Sequence, residues 1–415
     1  MQDFIVDLFA RLAAIGADGD GGFTRPSYGP GEHAAHDLMA ATARGLGLEV
    51  ATDAAGNTYM TLPGRDRAAP RTVLGSHLDT VPRGGNYDGA AGVVAGLAMA
   101  AHLRDRGAVP AADLTVMGIR AEESVWFPAS YIGSRAALGR LAPAELEIRR
   151  SDTGRTLADH MAEAGCDPAA LAAGQRYLDP ASVAAYVEIH IEQGPVLAAE
   201  GLPVGVVTAI RGGLRHHRAA ILGEWAHSGA TPRALRRDAV FAFADLLAEL
   251  EAAWDRMEGA GRDLVLTLGK ASTDPAAHAF SKVPGRLDFC LDARSTEDAA
   301  LDAMGAEIEA VARSVAAARG VGIDLGPRSR SKPATMDPAL VAALAAAAGR
   351  LQIPHRTLPS GAGHDAAAFA QAGVPSAMVF VRNDHGSHNP AEAMDPADLA
   401  AAARVALAAL VPGSA

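Results

Sequence analysis

Short apolar runs recur along this chain, and several stop abruptly at a histidine or an acid. Thr72-Val-Leu, Leu114-Thr-Val-Met-Gly-Ile119, Tyr186-Val-Glu-Ile-His190 and Ala377-Met-Val-Phe-Val381 read as strands buried in a sheet. Helix-period and strand-like segments alternate from the N-terminus to about residue 200, which predicts an α/β domain whose central mixed sheet carries helices on both faces. At the N-terminus, Met1 to Leu12 has apolar residues at helical spacing with acids between them. With no basic stretch or cleavage motif, this reads as a folded amphipathic helix and not a signal peptide.

From about Gly205 the pattern changes. Val206 to Arg211, His217 to Leu222, Leu264 to Leu268 and Gly285 to Arg294 read as strands, Arg237 to Leu250 as a long helix, and Ser295 to Asp298 as the capped start of a second. Four strands and two helices make an α+β unit inserted at 206–326 into a main domain formed by 1–205 and 327–415. Gly326 to Pro333 reads as the return linker.

Composition narrows the setting more than the chemistry. The 415 residues are 49% hydrophobic and 20% charged, ordinary for a globular protein, and their net charge of −11 argues against nucleic acid or anionic membranes as partners. The basic stretch Arg328 to Lys332 is too short to offset it. The two cysteines, Cys166 and Cys290, lie outside any metal-ligand spacing and suit a reducing compartment. No apolar run reaches membrane-spanning length, so a soluble cytoplasmic protein is expected.

The chemistry gathers where strands end. His77 follows one apolar run, and Asp88 opens the small-residue segment Gly89 to Gly96, a strand-loop-helix arrangement that can bring the two together at the carboxyl edge of an α/β sheet. Asp79 is placed to hold the other imidazole nitrogen of His77. Glu122 and Glu123 follow a second run, His190 ends a third, and His388 follows a fourth. Each alone is more simply a capping acid or a packed histidine. Together they make coincidence a poor explanation.

These residues carry a family resemblance over nearly the full length. The stretches GSHLDTVPRGG, YDGAAGV, GSRAALG, HIEQGPVL, GEWAHSGATP, LDARS, SGAGHDA and GSHNPAEAM resemble the hydantoinase/carbamoylase branch of the dinuclear zinc amidohydrolases and peptidases. That branch contains N-carbamoyl-L-amino-acid hydrolases, allantoate amidohydrolases and β-ureidopropionases. The resemblance implies a homodimeric hydrolase with two divalent metal ions per chain, zinc in the first instance, although manganese, cobalt or nickel accept the same ligands. One ion would take His77, Asp88 and His190, the other Asp88, Glu123 and His388, with Asp88 bridging. The pair would share a water of lowered pKa, and Glu122 would act as general base. The insertion becomes a lid and dimerisation domain. From it His227 would donate to the oxyanion in the partner's site and Arg294 would grip the substrate carboxylate, while Gln193 and the Gly363 backbone complete the pocket.

Three departures fall at substrate-contacting positions. Trp126 stands where relatives place an arginine, Ser281-Lys282 replaces an asparagine before the Val-Pro-Gly turn, and the Lys270 to Ser281 segment is long. The expected reaction is C–N cleavage of an N-carbamoyl amino acid or related small amide bearing a carboxylate. The alternative is an aminoacylase or dipeptidase, with Trp126 and Phe127 stacking on a bulkier acyl group. A catalytically dead binding protein is disfavoured because the ligand set and Glu122 are intact.

Overall fold

The structure is a computed structural model, described here for residues 1–19 and 21–411. It divides into two compact units, Met1–Thr208 with Thr335–Ala415, and Ala209–Ala334.

The first unit is built on a mixed nine-stranded sheet. At its centre lie Leu114–Ile119, Arg71–His77, Val183–Ile191 and Ser376–Val381, neighbours in that order and mutually parallel. All four therefore present their C-terminal ends at one edge. Both faces are covered, so Leu114–Ile119 and Ser376–Val381 are buried at every residue, which is why they read as unbroken apolar runs. The helix Ala90–Asp105 packs on Arg71–His77 and is buried almost all round. Its small residues allow that approach: a Cβ on Gly92 would lie 2.3 Å from the Ile189 carbonyl oxygen. The N-terminal helix Gln2–Leu12 buries Ile5, Leu8, Phe9 and Leu12 against the same core, as its amphipathic spacing requires.

The second unit has a six-stranded antiparallel sheet and the two long helices Ala239–Gly259 and Asp298–Arg319, which pack on each other and on the sheet. Three details differ from the sequence reading. Val204–Ile210 pairs with Ser376–Val381 and so extends the main sheet. The inserted sheet has more than four strands, because Ala271–Thr273, Gly322–Asp324 and Arg328–Ser331 join the three that were expected there. Arg328–Ser331, read as linker, is a fully exposed strand on Gly212–Leu222. A strand alternating Arg and Ser has no apolar face, so hydropathy does not reveal it. Its order comes from backbone pairing and from Arg330, which bonds Asp298 at 2.8 Å and also Asp302. Among the described residues, no helix is long and apolar enough to cross a membrane.

Candidate metal centre

The strand ends bring two triads together around one carboxylate. Potential ligand atoms of His77, Asp88 and His190 lie within 4.8 Å of one another, and so do those of Asp88, Glu123 and His388. Asp88 Oδ1 is 3.1 Å from His190 Nε2 and 3.7 Å from His77 Nε2, while Oδ2 is 3.2 Å from His388 Nε2. His388 Nε2 is in turn 3.4 Å from Glu123 Oε1. His77, Asp88 and His190 are at most 3% exposed; the His388 side chain is half exposed.

The second nitrogen of each buried imidazole is already engaged. His77 Nδ1 bonds the Asp79 carbonyl at 3.0 Å, with the Asp79 carboxylate 3.4 Å away, and His190 Nδ1 bonds the Ile191 carbonyl at 2.8 Å. A carbonyl only accepts, so Nδ1 carries a proton in both rings and both Nε2 atoms turn toward Asp88. Gly89 makes room for this arrangement. Its φ is +65°, and a Cβ there would lie 2.4 Å from the His77 ring.

Whether this donor set fits a cation is decided at Asp88 Oδ1, a buried oxygen with no hydrogen-bond partner. A buried carboxylate oxygen left unpaired is costly, and two imidazole nitrogens with a carboxylate are what a divalent transition ion binds. The residues therefore fit. Without a cation, protons take its place. His388 is raised to about 9, first by its bond to Asp88, and His77 is raised because Asp79 and nearby carboxylates outweigh burial. Burial also opposes ionisation of Asp88, but the close His190 and His388 rings, which favour its charged form when they take up a proton, prevail and hold it well below the carboxylate range. Metal and proton compete for the same atoms, so loading releases protons.

Glu122 and Glu123 sit in different surroundings although adjacent in sequence. Burial pushes Glu122 well above the carboxylate range, with repulsion from Glu123 and Asp365 adding to it. Burial and then Asp88 raise Glu123 to about 7. Their loop is fixed by Asp79, whose carboxylate accepts the backbone N–H of Glu122 at 3.1 Å and of Glu123 at 3.2 Å, together with the Ser27 hydroxyl at 2.6 Å. One fully buried acid thus orients His77 and anchors both glutamates. Ala121, Gln193 and His388 all have positive φ, at 52°, 63° and 60°. Such backbone in non-glycine residues gathers at functional sites.

Sequence reasoning missed the supports that come from a distance. Glu392 accepts the backbone N–H of Tyr87 and Asp88, and the Ser387 hydroxyl lies 2.6 Å from both Glu392 Oε2 and Asp88 Oδ2, so its single proton bridges to one carboxylate or the other. The only signal was proximity of Glu392 to His388 in the last motif. A further group, Glu188, His190 and His364, has ligand-like spacing, but both Glu188 oxygens already accept bonds, from Ser76 and from the Ala366 N–H.

The expected substrate residues are distributed over both units. Gln193 Nε2 donates to Asp88 Oδ2 at 2.8 Å, and Gly363 is exposed beside the Tyr131 hydroxyl. In the second unit, Arg294 is bonded to Asp292 at 2.7 Å, and His227 is exposed at the end of a two-stranded ribbon. Its Nδ1 accepts the N–H groups of Gly229 at 3.2 Å and Ala230 at 3.1 Å, which puts the neutral ring's proton on Nε2. Trp126 and Phe127 do not serve as an acyl platform. Both are buried in one apolar cluster, with the Trp126 indole N–H donating to the Thr80 carbonyl at 2.8 Å.

Residues 73–411 match the family described as Peptidase family M20/M25/M40. The chain belongs to this family and is a hydrolase. It is 37% identical over 398 residues to an N-carbamoyl-L-amino acid amidohydrolase of Geobacillus stearothermophilus, covering 95% of this chain and 94% of the relative. An allantoate amidohydrolase of Escherichia coli K12 is 34% identical, covering 94% and 92%. In three dimensions it resembles an amidase of the hydantoinase/carbamoylase family from Burkholderia multivorans, with TM-score 0.88, 32% identity, and 99% and 97% of the two chains covered. Divalent metal binding is general in the family, in keeping with the ligand groups around Asp88.

Proposed function

We propose that the protein is a homodimeric amidohydrolase that cleaves the C–N bond of an N-carbamoyl amino acid, or a closely related ureido compound with a free carboxylate. The observation that carries this reading is the pair of triads sharing Asp88, with the buried Glu122 beside them. The names of the relatives, N-carbamoyl-L-amino acid and allantoate amidohydrolases, favour a ureido group over a peptide. His77, Asp88 and His190 would hold one divalent ion and Asp88, Glu123 and His388 the second, both zinc. When bound, such a pair polarises the scissile carbonyl and acidifies a water at neutral pH.

The chain's own groups do the rest. Glu122, held near the centre by the Asp79 clamp on its backbone and raised in pKa by burial, takes the proton from the attacking water and returns it to the leaving nitrogen. His227 donates from Nε2 to the carbonyl oxygen as charge develops there. Arg294 supplies the planar fork for the substrate carboxylate, and Gln193 and the Gly363 backbone border the pocket. A carbamoyl substrate gives the amino acid, ammonia and carbon dioxide.

The test is an assay of the metal-loaded protein on N-carbamoyl, N-acetyl and N-aminoacyl amino acids, following ammonia and free amine separately. Ammonia release confined to ureido compounds is expected. Amine release without ammonia would replace this reading with an aminoacylase.

A further inference from the structure

Phe280 stands out among the described residues as a large apolar side chain wholly in solvent, with a relative accessibility of 107%. Its backbone is nevertheless fixed. Phe280 and Ser281 are the central residues of a β-turn closed by the Lys282 N–H on the Ala279 carbonyl at 3.1 Å. The Ser281 carbonyl accepts the N–H of Ser228 at 2.9 Å, and the next residues, Lys282 and Val283, pair with His227 and Ala226. Lys282 Nζ ties the other side of the turn to the Ala277 carbonyl at 2.9 Å and lies 5.9 Å from the centre of the Trp225 ring. Phe280 and His227 therefore move as one piece. At the usual rise per extended residue, their Cα atoms are within roughly 10 Å.

We infer that Phe280 is a specificity-determining residue that packs on the amino-acid side chain of the substrate, giving a preference for ureido amino acids with an aromatic or long apolar side chain. The inference rests on the proposed function, in which His227 donates to the scissile carbonyl. In an N-carbamoyl amino acid only the nitrogen and Cα separate that carbonyl from the side chain, a span of about 5 Å in covalent geometry. A residue carried on the same ribbon, on the side His227 turns to the substrate, is therefore within reach of the substrate side chain. A phenyl ring there offers apolar and aromatic contact. Of the other exposed apolar groups in this unit, Val240, Phe241 and Leu247 lie on the helix Ala239–Gly259 with no such link to His227, while Leu235 lies in the segment that follows His227 and is less exposed than Phe280.

The test compares kcat/KM for N-carbamoyl-L-phenylalanine and N-carbamoylglycine in the metal-loaded wild type, Phe280→Ser and Phe280→Leu. The wild type should favour the phenylalanine compound, and Phe280→Ser should lower that ratio by about tenfold or more, chiefly through KM. Phe280→Leu, which restores apolar contact, should stay within about threefold of the wild-type ratio. An unchanged ratio in Phe280→Ser overturns the inference. An equal fall on both compounds does so too, and would mark Phe280 as support for the His227 ribbon. If the wild type hydrolyses both compounds without preference, the inference fails and the proposed reaction stands. If it hydrolyses neither but turns over another ureido acid, the inference alone fails; if it hydrolyses no ureido acid, both fail.

Discussion

Asp88 Oδ1 faces His190 Nε2 at 3.1 Å and yet accepts no hydrogen bond. The His190 ring proton is committed to the Ile191 carbonyl on its far side, so the near nitrogen meets the carboxylate with its lone pair unless a cation or a second proton intervenes. The same carboxylate serves both triads through different oxygens. Asp88→Ala should therefore lose both ions at once, whereas a substitution confined to one triad should lose one. Metal analysis after gel filtration should find about two ions per wild-type chain. Added zinc should raise Tm in the wild type and leave Asp88→Ala unmoved, because only a native-state site stabilises by mass action. Full occupancy in Asp88→Ala would remove it as the bridge.

Glu122 and Glu123 should fail in different ways. Only Glu123 lies against His388, whereas Glu122 is a buried acid whose side chain belongs to neither triad. Glu122→Gln should keep its metals and lose about 10²–10⁴-fold in kcat, the usual scale for removing a general base. Glu123→Gln should weaken one metal site and recover activity at high metal concentration. If only Glu123→Gln lost turnover while both variants stayed loaded, the roles would be exchanged.

What the sequence revealed and what it hid follow from the range of the forces involved. The ligand strands were legible because burial on both faces leaves an uninterrupted apolar run, and a polar residue closing such a run stands out. The clamp on Asp88 was not, because Glu392 reaches Tyr87 and Asp88 across some three hundred residues and nothing periodic marks it. Ser27 behind Asp79 is the same case. Trp126 misled for a different reason: beside a polar centre an aromatic reads as a substrate platform, but its N–H found the Thr80 carbonyl and its ring joined the core. Arg328–Ser331 was hidden because backbone pairing, not hydropathy, makes it a strand.

Asp365 gives a pH prediction with a definite sign. It is fully buried, its Oδ1 accepts the Ser134 hydroxyl at 2.6 Å, and burial reinforced by the Glu188 carboxylate raises it to about 8. In the unfolded chain an aspartate titrates near 3.9. Between those values the folded protein binds the extra proton, so this group's contribution to stability falls as pH rises toward 8. Asp365→Asn keeps the acceptor for Ser134 and cannot ionise. In chelator, its stability relative to wild type should grow from pH 5 to pH 8 by a few kcal/mol, at most about 1.4 kcal/mol per pH unit, and then level off. Urea titrations across that range read the difference directly. A gap that stays constant with pH would mean that Asp365 is ionised in the fold.

His227 gives the sharpest test of a shared active site. Its Nδ1 is occupied by two backbone N–H groups, so the exposed Nε2–H is a preset donor. Loss of one oxyanion donor typically costs about 3–4 kcal/mol in the transition state, so His227→Ala should be nearly inactive with its metals retained. If His227 serves the partner's centre, mixing His227→Ala with Glu122→Gln under conditions that exchange subunits should restore activity. Each mixed dimer would have one site with both defects and one with neither. At full exchange half the dimers are mixed, so about a quarter of wild-type activity should return. No recovery despite demonstrated exchange would mean that His227 serves its own subunit, or that the enzyme does not work as a dimer of this kind.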